Sequence, residues 1–248
     1  MNNFARNYPS FDVHDQLLLK AGKATTCVIV EERRADGSSG RNFGTAFFVT
    51  NTHLLTAGHV VKCSPGARIE RIRVSYAGCK TVDAKTNTIE CNVVGNLDES
   101  DSPISSKFDL ALLECPSQEA GTWLPISANV GDLQVGEIVD IVGYPADLTP
   151  PQKESFKKKG CLTDYDKSME EAKLMLRPKT LTVSRGTVEA IGNGSIRYRL
   201  SSISGMSGAC VMFNGMIYGS SKHVNAYGRC ACRSLQTRKR NTKPCCFI

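Results

Sequence analysis

Three residues of this chain have side chains that could together activate a hydroxyl group, and each one lies beside an apolar or glycine-rich run. His59 follows the residues LLTAG, Asp109 precedes LALL, and Ser207 lies within SGMSG. A serine hydroxyl is a weak nucleophile until a neighbouring base takes its proton. A histidine can take that proton near neutral pH, and a carboxylate behind the ring fixes its tautomer and stabilises the imidazolium. These residue types therefore indicate acyl-transfer chemistry.

The glycines around Ser207 predict a tight turn that gathers backbone N–H groups. Gly205 and Gly208 lack a Cβ and permit backbone conformations that other residues avoid. We expect the N–H groups of Gly205 and Ser207 to point into one concavity that can bind a developing oxyanion. In comparable sites each such donor contributes about 3–4 kcal/mol to the transition state.

The elements that must position these residues are predicted to be short β-strands. Runs rich in β-branched and aromatic residues alternate with turn signals, and Asn-Gly pairs at 193–194 and 214–215 predict hairpins. Many strands at short spacing, without alternating helices, indicate an antiparallel sandwich or barrel. The predicted strands are 25–32, 43–50, 54–57, 68–76, 88–94, 109–113, 137–143, 181–191, 195–201, 209–213 and 216–219.

Three segments depart from the strand pattern. Residues 12–20 predict a short N-terminal helix, and the last twenty or so residues predict an extended basic tail. Residues 146–179 form a long polar insertion, which we interpret as a candidate gate because loops of this length are usually functional or mobile.

The distribution of charge argues against nucleic acid as a partner. Of 31 basic and 24 acidic residues in the 248-residue chain, seven basic and no acidic ones lie in 222–248, so the remainder is balanced. A nucleic-acid-binding domain would spread basic charge over a folded face. A basic nucleic-acid-associated protein is therefore the weakest of the functions that we considered.

The N-terminal residues lack the pattern of a secretory signal, and no stretch is apolar for long enough to span a bilayer. We therefore expect an intracellular, cytoplasmic protein. The eleven cysteines are odd in number and irregularly spaced, so we interpret most of them as free thiols or small buried hydrophobes rather than as a disulfide framework. No metal or cofactor is predicted.

The three motifs, in their order, resemble those of the trypsin-like, or chymotrypsin-fold, serine peptidases. Histidine, aspartate and serine follow one another at intervals of 50 and 98 positions, an order that differs from those of subtilisins and α/β-hydrolases. The stretch 136–145 (GEIVDIVGYP) resembles the strand before the oxyanion region in the HtrA-like and glutamyl-endopeptidase-like branches. The resemblance runs from about residue 25 to about residue 227.

The resemblance implies an all-β fold of two antiparallel six-stranded β-barrels, with the active site in the cleft between them. It further implies a serine endopeptidase that hydrolyses protein or peptide substrates through an acyl-enzyme, with His59, Asp109 and Ser207 as catalytic residues and no cofactor. The alternative is a catalytically silent scaffold that binds peptides. The implied organisation is an N-terminal extension at 1–24, a first barrel at 25–120, a second barrel at 121–228 and the tail at 229–248.

The chain departs from secreted trypsins at two positions beside the motifs. Met206 stands where those enzymes have the aspartate that pairs with a newly freed N-terminus, and Val60 stands where they have a cysteine next to the histidine. Both departures favour an enzyme that needs no N-terminal processing.

Two further residues are candidates for the substrate pocket. In viral and glutamyl endopeptidases a histidine on the strand after the nucleophile helps to bind the substrate side chain; His223 lies about two residues later than that pattern, and Ser202 could form a second polar wall. Ser201 stands six before the nucleophile, where trypsin has an aspartate, so preference for Arg or Lys is not expected. An acidic or amide side chain and a small or apolar one remain as alternatives at the cleavage position.

The tail carries its own motif. The last four residues, CCFI, match the C-a-a-X pattern for prenylation at Cys245, and residues 238–243 (RKRNTK) provide the basic charge that stable membrane anchoring generally needs. The alternatives are a disordered basic tail with incidental thiols and a nuclear-import patch. A structural zinc is a further alternative, and its ligands would be Cys230, Cys232, Cys245 and Cys246.

Overall fold

The computed structural model describes residues 13–80, 82, 88–94, 109–116, 121–127, 133–146, 179–192, 195–199, 205–214, 216–224 and 229–234. Within these ranges the chain forms one α-helix and thirteen β-strands in two sheets, which confirms the predicted all-β class. Almost all of the predicted insertion, Ser202 and Cys245 lie outside the described residues.

The first sheet contains seven strands, and one bent segment joins its two edges. The strands are β1 (Thr25–Arg33), β2 (Ser39–Phe48), β3 (His53–Ala57), β4 (Arg68–Ser75), β5 (Thr88–Glu90), β6 (Asn92–Val94) and β7 (Leu110–Glu114). Their order is β5-β4-β1-β2-β3-β7-β6. The predicted strand 88–94 is interrupted at Cys91, and its halves pair with β4 and β7 at opposite edges. Segment 88–94 thus connects the two edges of the sheet, and its division at Cys91 gives seven strands where six are predicted.

The middle of strand β1, residues 27–30, is continuously apolar because both of its faces are covered. Val28 and Val30 pack inside the first sheet, whereas Cys27 and Ile29 pack on the other side against Tyr144, which directly follows a strand of the second sheet. A strand that is buried on both faces has a continuous apolar sequence instead of an alternating one.

The second sheet is a closed six-stranded barrel. Its strands are β8 (Ile138–Gly143), β9 (Thr182–Gly192), β10 (Ser195–Arg199), β11 (Cys210–Phe213), β12 (Met216–Val224) and β13 (Arg229–Ser234), in the order β10-β13-β12-β11-β8-β9. The predicted hairpins are present, since β9 pairs antiparallel with β10 and β11 with β12.

The predicted boundary of this barrel at residue 228 is wrong, because β13 lies within the range assigned to the tail. Its sequence, RCACRS, has little apolar character and no turn signal that would mark it as a strand. The strand forms because its backbone pairs on both sides, with β10 and with β12, and so closes the barrel.

Helix α1 (Val13–Ala24) helps to join the two sheets. It extends past the predicted end at residue 20, and its alanines Ala21 and Ala24 are fully buried. They pack in one apolar cluster with Phe47 of β2, Val142 of β8 and Ile217 of β12. The described part of the chain contains no helix whose length and apolar character would let it span a bilayer.

Candidate active site

The ends of β3 and β7 bring His59 and Asp109 together. A single 3-10 turn, Gly58–Val60, follows β3 and carries His59, while Asp109 directly precedes β7. The two strands pair antiparallel with Ala57 opposite Leu110, so both residues lie at the same edge of the sheet.

Asp109 holds both the backbone and the ring of His59. One carboxylate oxygen, Oδ2, lies 3.0 Å from His59 Nδ1, and the other, Oδ1, accepts the His59 backbone N–H at 2.8 Å. The carbonyl of Asp109 accepts the N–H of Gly58 at 2.8 Å. The carboxylate is 11% exposed and the imidazole 40% exposed, so a largely buried anion supports a ring that reaches solvent. Through Nδ1 the pairing fixes the ring, and Nε2 is the nitrogen on the side away from Asp109.

Two residues at this contact, Asp109 and Gly58, depend on their particular backbone conformation or on the absence of a side chain. Asp109 has a φ of 54°, a left-handed conformation that aspartate tolerates better than most residues with a Cβ. A Cβ at Gly58 would lie 3.2 Å from the Oδ1 atom of Asp109, so a glycine fits the close approach there.

The turn around Ser207 depends on its two glycines, as predicted. Gly205 and Gly208 have φ values of 92° and 89°. A Cβ at Gly205 would lie 2.4 Å from the backbone nitrogen of Ala146, and a Cβ at Gly208 would lie 2.0 Å from the carbonyl oxygen of Thr45. No other residue meets both the positive φ and this lack of space.

Thr45, on β2 of the first sheet, hydrogen-bonds the turn that carries Ser207. Its hydroxyl donates to the carbonyl of Gly205 at 2.8 Å and accepts the backbone N–H of Tyr144 at 2.9 Å. Its backbone N–H donates to the carbonyl of Ser207 at 2.8 Å. Its own carbonyl accepts the hydroxyl of Thr56 at 2.8 Å, and Thr45 is fully buried. Sequence reasoning missed this role; the only signal was the position of Thr45 within the motif that precedes His59.

Gly44 lies between the Ser207 turn and Val60, the residue that follows His59. A Cβ on Gly44 would lie 2.5 Å from a methyl group of Val60 and 3.2 Å from the carbonyl oxygen of Ser207. Because it has no Cβ, Gly44 leaves room for both the Val60 side chain and the Ser207 carbonyl. Gly44 and Thr45 of the first sheet thus place the turn of Ser207 near the turn that carries His59, where the two sheets meet.

The other predicted site residues are only partly described. His223 lies on β12 opposite Ala231 of β13, just after a one-residue shift of register between Ser221 and His223. Ser202 and Cys245 fall outside the described residues. Among the side chains that the structure describes, no group of three potential ligands is spaced to hold a metal ion.

Comparison with known proteins identifies the family. Residues 44–214 match the model of the trypsin-like peptidase domain, which is more than half of the chain. The chain therefore belongs to the trypsin-like peptidase family, whose substrates are proteins and peptides. No curated protein sequence matches it.

Solved structures agree on the fold. The chain is similar to the Rv3671c protease from M. tuberculosis in its active form, with 15% identity and a TM-score of 0.59 over 90% of this chain and 81% of that one. The inactive form of the same protease gives 15% identity and a TM-score of 0.54 over 90% and 89% of the two chains. At this identity the likeness supports the chymotrypsin-like fold and not a particular branch of the family.

Proposed function

We propose that this protein is a serine endopeptidase that cleaves peptide bonds through an acyl-enzyme intermediate. The observation that carries the proposal is the pair of Asp109 and His59, joined by two hydrogen bonds beside the Ser207 turn, in a chain of the trypsin-like peptidase family. The mostly buried carboxylate, which bonds both the backbone N–H and the ring of His59, suits a group that fixes the orientation of the imidazole.

In the proposed first step, His59 takes the proton of the Ser207 hydroxyl through Nε2 as the oxygen attacks the substrate carbonyl. Asp109 stabilises the imidazolium that forms. The backbone N–H groups of Gly205 and Ser207 bind the oxyanion, and the bonds from Thr45 hold that turn in position. The imidazolium then protonates the leaving amine, and the same groups activate water to hydrolyse the acyl-enzyme.

Labelling by a fluorophosphonate probe distinguishes this proposal from the silent scaffold. Purified wild type is compared with Ser207→Ala and His59→Ala. The matched control is His53→Ala: this histidine, at the start of β3, hydrogen-bonds through Nδ1 to the hydroxyls of Thr50 and Thr52 and is bonded to no part of the Ser207 turn.

We expect wild type and His53→Ala to be labelled and the two site variants not to be labelled. A folded wild type that takes up no probe would contradict the proposal and favour the scaffold. Labelling that persists in Ser207→Ala would assign the nucleophile to another serine.

The proposed substrate pocket includes His223 and Ser202. Profiling with a peptide library decides between an acidic or amide side chain and a small or apolar one at the cleavage position. If His223 binds an acidic or amide side chain, His223→Ala should lose that preference selectively, while cleavage after small residues persists. An unchanged profile in His223→Ala would remove this residue from the pocket.

Membrane association through the tail is a separate part of the proposal. We expect Cys245 to incorporate an alkyne-tagged isoprenoid when the full chain is made in eukaryotic cells, because only Cys245 is fourth from the end. Cys246→Ser is the matched control and should retain the label, whereas Cys245→Ser should lose it. A wild type without label would leave the tail as a basic extension only.

A further inference from the structure

Two buried cysteines of the first barrel lie opposite each other where the sheet closes. Strands β6 and β7 pair antiparallel, with Asn92 opposite Glu114 and Val93 opposite Leu113. The same register places the next residues, Cys91 and Cys115, directly across from one another. From the sequence we expect most of the cysteines to be free thiols or small buried hydrophobes, because strand register cannot be read from cysteine spacing.

The backbone hydrogen bonds show that Cys91 and Cys115 form a non-hydrogen-bonded pair, the type of antiparallel pair whose side chains lie closest together. The N–H of Cys91 donates to the carbonyl of Ile72 on β4 at 2.9 Å, and the N–H of Cys115 donates to the carbonyl of Thr52, just before β3, at 2.8 Å. Both N–H groups therefore point away from the opposing cysteine. In an antiparallel ladder such a non-hydrogen-bonded pair has Cα atoms only about 4.5 Å apart, and disulfides span Cα separations of about 4.4–6.8 Å.

The side chains are already in contact. A hydrogen bond that the Cys91 thiol donates to the Cys115 sulfur and, after it, burial raise the pKa of the Cys91 thiol far above its usual value. Both residues are almost fully buried, at 6% and 0% exposure, and belong to the apolar cluster inside the first sheet. Both are free thiols in the structure.

We propose that Cys91 and Cys115 form a cross-strand disulfide under oxidising conditions and that this disulfide locks the closure of the first barrel. With glutathione disulfide as oxidant, one cysteine thiolate attacks it, forms a mixed disulfide and releases one glutathione. The second cysteine displaces the remaining glutathione. Two protein thiols are oxidised to one disulfide, and the two released glutathiones carry the two protons.

Because both cysteines are buried, the disulfide should form slowly and be reduced slowly once the protein has folded. A thiol with a raised pKa is seldom ionised and attacks slowly, and a disulfide in the core is out of reach of reductants. The bond should therefore form mainly during folding, while the thiols are accessible, and persist afterwards. It would tie β6 to β7, the strand that Asp109 precedes.

The test refolds the full chain from reducing denaturant in two buffers, one with reduced and oxidised glutathione and one with excess reductant. After free thiols are blocked with N-ethylmaleimide, the protein is digested and linked peptides are identified by mass spectrometry. We expect a Cys91–Cys115 peptide to dominate in the glutathione buffer. The oxidised protein should melt about 5–10 °C above the reduced one, because the cross-link restricts the unfolded chain.

Cys210→Ala is the matched control, because Cys210 is fully buried and its thiol contacts Thr25 and the carbonyl of Val142 rather than another cysteine. It should keep the difference in melting temperature between the two buffers, while Cys91→Ala and Cys115→Ala should lose it. Should either variant fail to fold, the wild-type peptide map decides alone. A map without the Cys91–Cys115 peptide, or equal melting temperatures for the two wild-type forms, would overturn the proposal.

Discussion

The two barrels hold their parts of the candidate site in different ways. In the first barrel, Asp109 and His59 are joined by hydrogen bonds between neighbouring strands of one sheet. In the second barrel, the turn of Gly205 and Ser207 is held by Thr45, which belongs to the first barrel. The acid–base pair is thus organised within its own barrel, whereas the nucleophile depends on the contact between barrels.

This difference separates two ways of losing activity. A change at the His59–Asp109 pair should weaken the chemistry and leave the barrels together. A change at Thr45 or at the glycines that approach it should weaken the chemistry through the position of the turn.

Asp109→Asn should lower kcat about 10³–10⁴-fold with little loss of stability, because asparagine cannot stabilise the imidazolium or fix the right tautomer. Asparagine is the suitable replacement because it tolerates the φ of 54° at this position. Peptide hydrolysis gives kcat and thermal unfolding gives stability. A kcat within tenfold of wild type would remove Asp109 from the mechanism.

Gly208→Ala should lower activity at least about 100-fold and destabilise the protein by about 3 kcal/mol or more, because the new Cβ would meet the Thr45 carbonyl at 2.0 Å. Gly37→Ala is the matched control, since Gly37 has a similar φ of 79° with no atom within 4 Å of the added carbon. It should cost only about 1 kcal/mol and leave activity unchanged. Equal losses in the two variants would mean that backbone strain alone explains the effect.

Thr45→Val should lower kcat about 10–100-fold with little change in KM, because valine keeps the shape but cannot donate to Gly205. It should also cost about 1–3 kcal/mol in stability, since the buried N–H of Tyr144 loses its acceptor. Thr45→Ser retains the hydroxyl and should restore kcat.

Thr26→Val is the control for this loss of a buried hydroxyl. Thr26 is fully buried on β1, and its hydroxyl donates to the carbonyl of Ser75, in the same barrel as Thr45. It should lose comparable stability and keep kcat. If Thr26→Val lowers kcat as much as Thr45→Val does, the role of Thr45 is structural only.

The contrast between contacts within one barrel and contacts between barrels also explains which features could be predicted from the sequence. The motifs of His59, Asp109 and Ser207 are local, and so are the β-branched runs and turn signals that predicted most strands. The role of Thr45 is not local, because its partner Gly205 lies 160 positions away along the chain. Strand β13 was missed for a related reason: its place in the barrel comes from its two neighbours and not from its own composition.

The smallest predicted effect concerns Glu32, a buried carboxylate in the first barrel. It accepts the backbone N–H of Ser64 at 3.0 Å and the hydroxyl of Ser64 at 2.9 Å, and so holds the loop that follows His59. These hydrogen bonds, with a smaller contribution from Arg34, lower the pKa of Glu32 below its ordinary value of 4.5.

Because the folded state has the lower pKa, ionised Glu32 stabilises the fold above about pH 4.5, and this contribution is lost as the pH falls through the folded-state value. Glu32→Gln should therefore be less stable than wild type near neutral pH, and the gap should narrow as the pH falls below about 4.5. Denaturant unfolding between pH 3 and pH 7 measures this gap. A gap that does not change with pH would mean that Glu32 acts through its shape rather than its charge. Loss of the loop contact should also leave the Asp109–His59 distance unchanged, because that pair is held by β3 and β7 and not by Ser64.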